Sequence, residues 1–280
     1  MKSKYKKIIS LSTILVFHII FQSIYLNDEI INWDMSTFLI AGQEVTRGNI
    51  PYVNQFEVKG PILFYLYGLI ILIVGKNLIL VKLVNDLIIY CIVLLLYLTV
   101  EKKSNNLRLS FFSGILFVSL MSSRGLGQSG YSEIYALFFI ALSIYLYLAT
   151  QIKLKLQLSG FFLSISSLIS LGSVIFALPF LVITYLNEGI KKCWLIIFGY
   201  SIPHLFFLFL YLFLGKFKFY KFALFDLPTK YLSDSFIQHD IIHYVYQVSE
   251  EIEFFNLLMF LFLFIFLFIV IKDYFLLFLN

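Results

Sequence analysis

The chain alternates long apolar stretches with short polar connectors. Stretches of roughly the length that crosses the hydrocarbon core of a bilayer as a helix occupy residues 8–26, 78–100, 109–124, 131–150, 193–214 and 254–272. A longer apolar run covers 158–186 and is interrupted by Gly172 and Ser173, and a shorter one that begins with a proline covers 61–75. The pattern predicts an all-α membrane protein, with residues 1–280 forming a single multi-pass helical bundle.

Basic residues in the connectors predict how the chain is threaded. They gather before the first stretch and in three later connectors, at Lys102, Lys103 and Arg108, at Lys153 and Lys155, and at Lys191 and Lys192. Short cytoplasmic connectors collect Lys and Arg. All four groups fall on one side if 61–75, about 22 Å long as a helix, does not cross while 158–186 crosses as a hairpin bent at Gly172-Ser173. We therefore expect about eight spans, a location in the cytoplasmic membrane and both termini on the cytoplasmic side.

This threading leaves two large external segments. The first extracytoplasmic loop, residues 27–77, contains a polar part and the apolar residues 61–75, which we expect to lie in the membrane interface as a juxtamembrane helix. The second, residues 215–253, mixes aromatic residues with four lysines. Anchoring at the interface explains these lysines better than the alternative of holding a lipid phosphate headgroup. They are Lys216, Lys218, Lys221 and Lys230.

Composition narrows the class of protein. Hydrophobic residues make up 61% of the chain and the mean hydropathy is +0.93, which is more than a soluble core uses. The net charge of +5 comes largely from basic clusters beside apolar stretches, so no nucleic-acid partner is implied. His239 and His243 are four residues apart but lack a third ligand at a fixed spacing, so no metal site is predicted. His18 and His204 lie inside apolar stretches and are expected to be hydrogen-bonded histidines of the core.

The polar part of the first loop contains a carboxylate at a position that suits proton transfer. Apolar side chains recur at helical spacing at Phe38, Ala41 and Val45. This spacing predicts a short surface helix that begins near Asp34 and ends at Gly48. Unpaired backbone amides at the N-terminal end of that helix favour the ionised form of Asp34. A general base needs that form, while a simple helix cap is the alternative interpretation.

A set of motif residues runs through the same loop: Trp33-Asp34, Phe38, Ala41, Gly48, Pro51-Tyr52 and Glu57-x-Lys59-Gly60-Pro61. With this set, the segment resembles the first extracytoplasmic loop of the membrane-embedded polyprenyl-phosphate-sugar glycosyltransferases. Their fold is called GT-C, and they include protein O-mannosyltransferases and the aminoarabinose transferase of lipid A. The sequence departs from the family at Met35, where many relatives carry a second acidic residue, and at Gly60-Pro61, which replaces the commoner Pro-Pro. A weaker likeness, from Arg124 to Glu133, matches the family's small external loop, and the resemblance extends roughly over residues 8–186.

The resemblance implies a GT-C-like glycosyltransferase that moves a sugar from a polyprenyl-phosphate carrier to an acceptor on the outer face of the membrane. Such a transfer needs a base for the acceptor proton and cations for the departing phosphate. The resemblance assigns the base to Asp34, and the expected cations are Lys59 and Arg124. Glu57 either orients Lys59 through a salt bridge or is simply solvated. The full set of predicted substrate-binding residues is Lys59, Glu57, Arg124, Glu133 and Tyr52.

The implied partners are a polyprenyl-phosphate sugar donor, membrane lipids and an unidentified glycan, lipid or protein acceptor. No cofactor is predicted, and the sequence does not decide whether a divalent metal assists. Glu133 is expected at the start of a span, where a helix N-terminal carboxylate that faces water is the alternative to a role in binding.

Two other classes of protein stay open. A non-catalytic transporter component for lipid-linked saccharides would also need basic and aromatic residues near headgroups. A transporter would be expected to show broken helices and ionisable residues at mid-membrane. The apolar stretches, by contrast, are nearly free of charged residues. The third class is an inactive, truncated relative, because members of the family are usually longer and this chain ends at Asn280.

Overall fold

The computed structural model describes residues 2–23, 26, 33–55, 57–121 and 130–230. Over these ranges the chain forms helices and turns and no strand, which confirms the all-α prediction. A 3₁₀ turn, Leu171–Phe176, precedes the helix Ala177–Glu188, and the helix Phe217–Lys221 continues as a π-helical turn, Phe222–Asp226. The helices are α1 Lys2–Ser23, α2 Trp33–Thr46, α3 Pro61–Val74, α4 Leu78–Ser104, α5 Leu107–Met121, α6 Ser132–Ala149, α7 Lys155–Ser167, α8 Ala177–Glu188, α9 Ile190–Phe213 and α10 Phe217–Lys221.

Five of the described helical segments are long and apolar enough to cross a membrane. They are α1 from Tyr5 onward, α4, α6, the continuous segment Leu171–Glu188 and α9. The helices α3 and α5 are apolar but shorter, at 14 and 15 residues. The predicted span 254–272 lies outside the described residues. These segments are consistent with a membrane protein, as predicted.

Contacts between helices bring the basic connectors to one end of the bundle. Near that end Lys7 forms an ion pair with Glu101 at 2.5 Å, so the start of α1 meets the end of α4. The end of α6 meets the start of α7, where the ammonium of Lys155 lies 5.9 Å from the centre of the Tyr147 ring. The Tyr147 hydroxyl also lies 2.9 Å from the hydroxyl of Thr184 in α8. We call this the basic end, and the opposite one the site end.

Both α7 and the segment after it connect the two ends as a hairpin. The chain leaves α7 at residues 168–170, at the site end, and the 3₁₀ turn and α8 lead it back toward Thr184. The break therefore falls just before the predicted bend at Gly172-Ser173, which lies within the 3₁₀ turn. Its position is set by α3, because the carbonyl groups of residues 168 and 169 accept hydrogen bonds from the start of that helix.

The first predicted loop contains two packed helices. The expected helix from Asp34 to Gly48 is confirmed as α2, and Gly48 follows it with a left-handed φ of 87°. One face of α2 is buried against α3, so α2 is not a free surface helix. Both ends of α3 lie at the site end, because it begins beside Glu133 and is joined to the start of α4 by three residues.

Small residues let α7 and α9 pack backbone to backbone. A Cβ atom built on Gly160 would lie 2.1 Å from the carbonyl oxygen of Ile196, and one on Gly199 would lie 2.0 Å from that of Gln157. This is a common way for helices to associate in a membrane. It fixes the hairpin against α9.

Candidate functional site

An ion pair between two predicted site residues forms the centre of the site end. The ammonium of Lys59 donates to Glu133 Oε1 at 3.1 Å, although the residues are 74 positions apart. Their side chains are 24% and 29% exposed, so the pair is partly shielded and still reachable from solvent. The hydroxyl of Ser170, in the break after α7, donates to the same oxygen at 3.3 Å. As predicted, Glu133 lies in the first turn of a membrane-length helix, α6.

The backbone around Lys59 is held by the end of α7. Gly60 N–H donates to Ile169 at 3.1 Å and Ile62 N–H donates to Leu168 at 3.2 Å. The first amides of a helix and the last carbonyls of another lack partners inside their own helices, and here each end supplies the other. A Cβ atom on Gly60 would lie 1.9 Å from the carbonyl oxygen of Leu168, so only glycine allows this approach.

Tyr52 also holds the backbone of this segment, through a hydrogen bond from its side chain. Its hydroxyl donates to the carbonyl of Lys59 at 2.5 Å, and its side chain is almost fully buried. The residue has a left-handed φ of 69°, which is uncommon for a side chain of this size. Tyr211 in α9 donates to the carbonyl of Pro51 at 3.0 Å and so fixes the turn. Burial raises the pKa of Tyr52 well above its usual value, and the nearby hydroxyls of Tyr211 and Tyr220 add to the rise.

Glu57 does not pair with Lys59. Its carboxylate accepts a hydrogen bond from the N–H of Val58 at 2.9 Å. The proposed salt bridge between Glu57 and Lys59 is therefore wrong for this structure, because Lys59 takes Glu133 as its carboxylate partner. Proximity in sequence favoured Glu57, and the fold brings in a closer group from α6.

Asp34 lies at the start of α2, in a second part of the site end. Its carboxylate is within electrostatic range of the Tyr67 hydroxyl, which donates to the carbonyl of Gly130 at 2.6 Å. The next residue, Met35, lies with its sulfur 3.9 Å from the side-chain nitrogen of Asn85. Tyr135 donates to the side-chain oxygen of Asn85 at 2.5 Å. The two parts are joined by the first turn of α6, which carries both Tyr135 and Glu133.

A buried polar face on α4 was not predicted. Lys82, Asn85 and Asp86 are all buried, and so are His18 and Gln22 on α1. His18 Nε2 lies 3.0 Å from the carbonyl oxygen of Asp86, and the ammonium of Lys82 lies 3.4 Å from that of Leu26. The expectation that the spans are nearly free of charge is therefore wrong for α4. The signal was present in the sequence, since polar residues at i, i+3 and i+4 in an apolar stretch define one helix face.

Serines line the break after α7, and these were also missed. Ser166 donates to the hydroxyl of Ser173 at 2.7 Å, and Ser173 donates to the carbonyl of Ser170 at 2.7 Å. On the other side of α7, Ser167 lies 3.0 Å from His204 Nε2. The prediction that His18 and His204 are hydrogen-bonded is thus confirmed. The serines satisfy polar groups where the helix is interrupted, as a broken helix in a membrane requires.

A groove of about 680 Å³ opens at the site end, above Tyr52. One wall is the turn formed by residues 52–55. The other is formed by α10 and the π-helical turn, with side chains that include Lys218, Lys221 and Asp226. Only residues 215–230 of the predicted second loop, 215–253, are described, and they form this wall.

Some of the predicted residues lie outside the part of the chain that the structure describes. Arg124 lies within residues 122–129, and His239 and His243 lie beyond residue 230, so the structure does not place them. Within the placed part of the chain, no group of three His, Cys, Asp or Glu side chains could hold a metal ion. No protein-family model, no curated protein and no solved structure matches this chain.

Proposed function

We propose that this protein is a membrane glycosyltransferase that moves a sugar from a polyprenyl-phosphate carrier to an acceptor on the outer face of the cytoplasmic membrane. The observation that carries the proposal is the contact between Lys59 and Glu133. The two residues belong to separate segments that each resemble part of one family's site, and their side chains lie 3.1 Å apart. This supports the view that the two segments form one site.

The proposed roles follow from the chemistry of the transfer. Asp34, at the start of α2, is the general base that takes the proton of the acceptor hydroxyl or amine. Lys59 binds the phosphate of the carrier as a point charge and stabilises it as it departs. An ammonium has three donors, so one contact with Glu133 leaves donors for a phosphate oxygen. Arg124 is the second proposed cation. No covalent intermediate is needed, because the acceptor oxygen or nitrogen forms the new bond as the bond to the phosphate breaks.

Tyr52 and Glu57 have smaller proposed roles. Tyr52 acts as a positioning residue, since its hydroxyl is committed to the carbonyl of Lys59. Glu57 adds negative charge close to Lys59 in the sequence but does not form an ion pair with it.

The proposed orientation places the basic end in the cytoplasm and the site end outside. Short basic connectors at one end and aromatic and acidic groups at the other fit this arrangement. With α5, α7 and residues 254–272 counted as further crossings, the proposed total is eight spans. The site then opens where a carrier headgroup emerges from the bilayer.

Transfer assays on the purified full-length chain test the proposal. A panel of polyprenyl-phosphate sugars is supplied, and sugar release is measured for wild type, Asp34→Asn and Lys59→Ala. We expect Asp34→Asn to lower turnover by about 10²- to 10⁴-fold, and Lys59→Ala by about 10²-fold. Glu44→Gln, on the same helix as Asp34, and Lys76→Ala serve as matched controls and should stay near wild type.

Two results would contradict the proposal. Equal turnover in wild type, Asp34→Asn and Lys59→Ala would exclude the assigned site. No turnover with any donor would exclude the transfer reaction and leave the non-catalytic alternatives.

The break after α7 and the buried polar face of α4 favour one alternative, a transporter component for lipid-linked saccharides. Broken helices and ionisable groups inside the membrane are expected of transporters. Vesicles that contain the purified chain and a fluorescent polyprenyl-linked sugar distinguish the two functions. Movement of the lipid between leaflets without sugar release would support the transporter.

A further inference from the structure

The groove above Tyr52 combines cationic, amide and aromatic groups in a way that suits one class of ligand. Lys218 and Lys221 lie along one wall, and Asn54 and Gln55 lie along the other. Asp226 is the acidic residue among those that line the groove, and it pairs with Lys221 at 3.3 Å. The lining therefore carries a net positive charge, and within the described chain no carboxylate pairs with Lys218.

Exposed aromatic side chains accompany the cations. Phe219 and Phe222 line the groove and are both well exposed, as is the neighbouring Phe225. Lysines and exposed aromatic rings close together on one short segment are typical of the boundary between headgroups and acyl chains. The volume of about 680 Å³ is within the usual range for a small-ligand site.

We propose that this groove binds the phosphate headgroup of an anionic lipid. Lys218 and Lys221 meet the phosphate oxygens, the amide of Asn54 donates to the headgroup, and Phe219 and Phe222 contact the first carbons of the chain. Because Lys221 is shared with Asp226, the phosphate and the carboxylate compete for it. The proposal does not rest on glycosyl transfer, and it concerns cations other than Lys59.

The groove is linked to the ion pair by one residue. Tyr52 forms part of the lining, and its hydroxyl holds the carbonyl of Lys59. Tyr220, in α10, stacks on Tyr211 with ring centres 4.7 Å apart, and its ring centre lies 6.5 Å from that of Tyr52. A lipid bound in the groove would therefore rest on the same aromatic cluster that positions Lys59.

Binding to detergent-solubilised full-length protein tests the inference. Short-chain phosphatidylglycerol, a short prenyl monophosphate and inorganic phosphate are each titrated, with short-chain phosphatidylcholine as the zwitterionic reference. The variants are Lys218→Gln with Lys221→Gln, Asp226→Asn and, as a matched control, the exposed Lys76→Gln at the same end. Thermal unfolding of each variant confirms that it is folded.

The lysine variants and Asp226→Asn are expected to change the affinity for anionic lipids in opposite directions. Each lost lysine should weaken binding of the anionic lipids about fivefold, and the double variant about 25-fold. Asp226→Asn should tighten binding severalfold, because it releases Lys221, and a folding defect would not do so. Lys76→Gln should leave the affinity unchanged. A preference for phosphatidylglycerol or for the prenyl phosphate would identify the source of the headgroup.

Other outcomes would overturn the inference. Wild-type affinity in the double lysine variant would show that the groove does not bind the phosphate. Weaker binding by Asp226→Asn would contradict the competition for Lys221. Equal affinity for inorganic phosphate and for the lipids would replace a lipid site with a simple anion site.

Discussion

At the scale of single residues, Lys59 and Glu133 are the pair on which the candidate site depends. Each side chain is about a quarter exposed, so solvent screens the pair only in part. Partial shielding places the interaction at the upper end of the range for surface ion pairs, which contribute about 0–1 kcal/mol. Lys221 and Asp226, at 56% and 40% exposed, supply an internal comparison.

A double-mutant cycle with Lys59→Gln and Glu133→Gln measures this interaction. We expect a coupling of about 1 kcal/mol in the free energy of unfolding, because the pair is close and partly shielded. Unfolding is followed in mixed detergent micelles at fixed ionic strength. The same cycle on Lys221 and Asp226 should give a smaller coupling, and a zero value for Lys59 and Glu133 would remove the ion pair from the site.

Tyr52 gives the protein a predictable response to alkaline pH. Its pKa is raised in the folded state above the ordinary value of 10.0, first by burial and then by neighbouring hydroxyls. The unfolded chain therefore releases the proton at lower pH than the folded one. The stability that Tyr52 contributes is complete below about pH 10 and is lost as pH rises above it.

Comparison of wild type with Tyr52→Phe over pH 8 to 11 tests this response. At pH 8 the variant should be less stable by about 1 kcal/mol, because it loses the hydrogen bond to Lys59. Above about pH 10 its stability should fall less steeply than that of wild type. Tyr5→Phe, at an exposed position, should keep the wild-type slope, and an unchanged slope in Tyr52→Phe would contradict the assignment.

At the scale of elements, the break after α7 and the start of α3 define each other. Carbonyl groups just after α7 accept hydrogen bonds from amides at the start of α3. Gly60 makes this close approach of the two backbones possible. A larger residue at position 60 cannot be accommodated by a side-chain rotation, because the atom it meets belongs to the backbone. The helix ends would have to separate.

Gly60→Ala should therefore destabilise the protein by about 1–3 kcal/mol or more. Gly172→Ala is the matched control, since Gly172 is exposed and a Cβ atom there meets nothing within 4 Å. Unfolding of both variants is measured in the same detergent. Equal stability of the two variants would show that the contact at Gly60 does not form.

Helices could be predicted from the sequence better than the contacts between them. The spacing of Phe38 and Ala41 was enough to predict α2 to within two residues at its C-terminal end. The break at 168–170 could not be predicted, because its position depends on backbone groups of residues 60–62. For the site, the motif pointed to Lys59 and Glu133 but not to their contact, which depends on how α3 and α6 pack.

At the scale of the whole molecule, the polar groups separate into two layers. The basic connectors share one end, and the candidate site, the groove and the break after α7 share the other. The charge pattern along the sequence was sufficient to predict this separation, because topology is encoded locally in short connectors. It does not predict the buried polar face of α4, because that face depends on where Lys82, Asn85 and Asp86 fall around the helix and not on how many charges the stretch contains.

Cysteine labelling in intact cells tests which end is external. In a background with Cys91→Ala and Cys193→Ala, single cysteines replace the exposed residues Lys76 and Lys103, at the site end and the basic end. A membrane-impermeant maleimide should label Lys76→Cys in intact cells and Lys103→Cys only after permeabilisation. The reverse pattern would invert the proposed orientation.

The hydrogen bonds from Gly60 and Ile62 to the end of α7 also constrain the order of biosynthesis. Their acceptors are made more than a hundred residues later in the chain. While α4, α5 and α6 are being inserted, the segment around Lys59 has no fixed backbone partner at this point. The nascent protein thus completes the neighbourhood of Lys59 late, only after the hairpin that begins with α7 has emerged from the ribosome and folded back against the earlier helices.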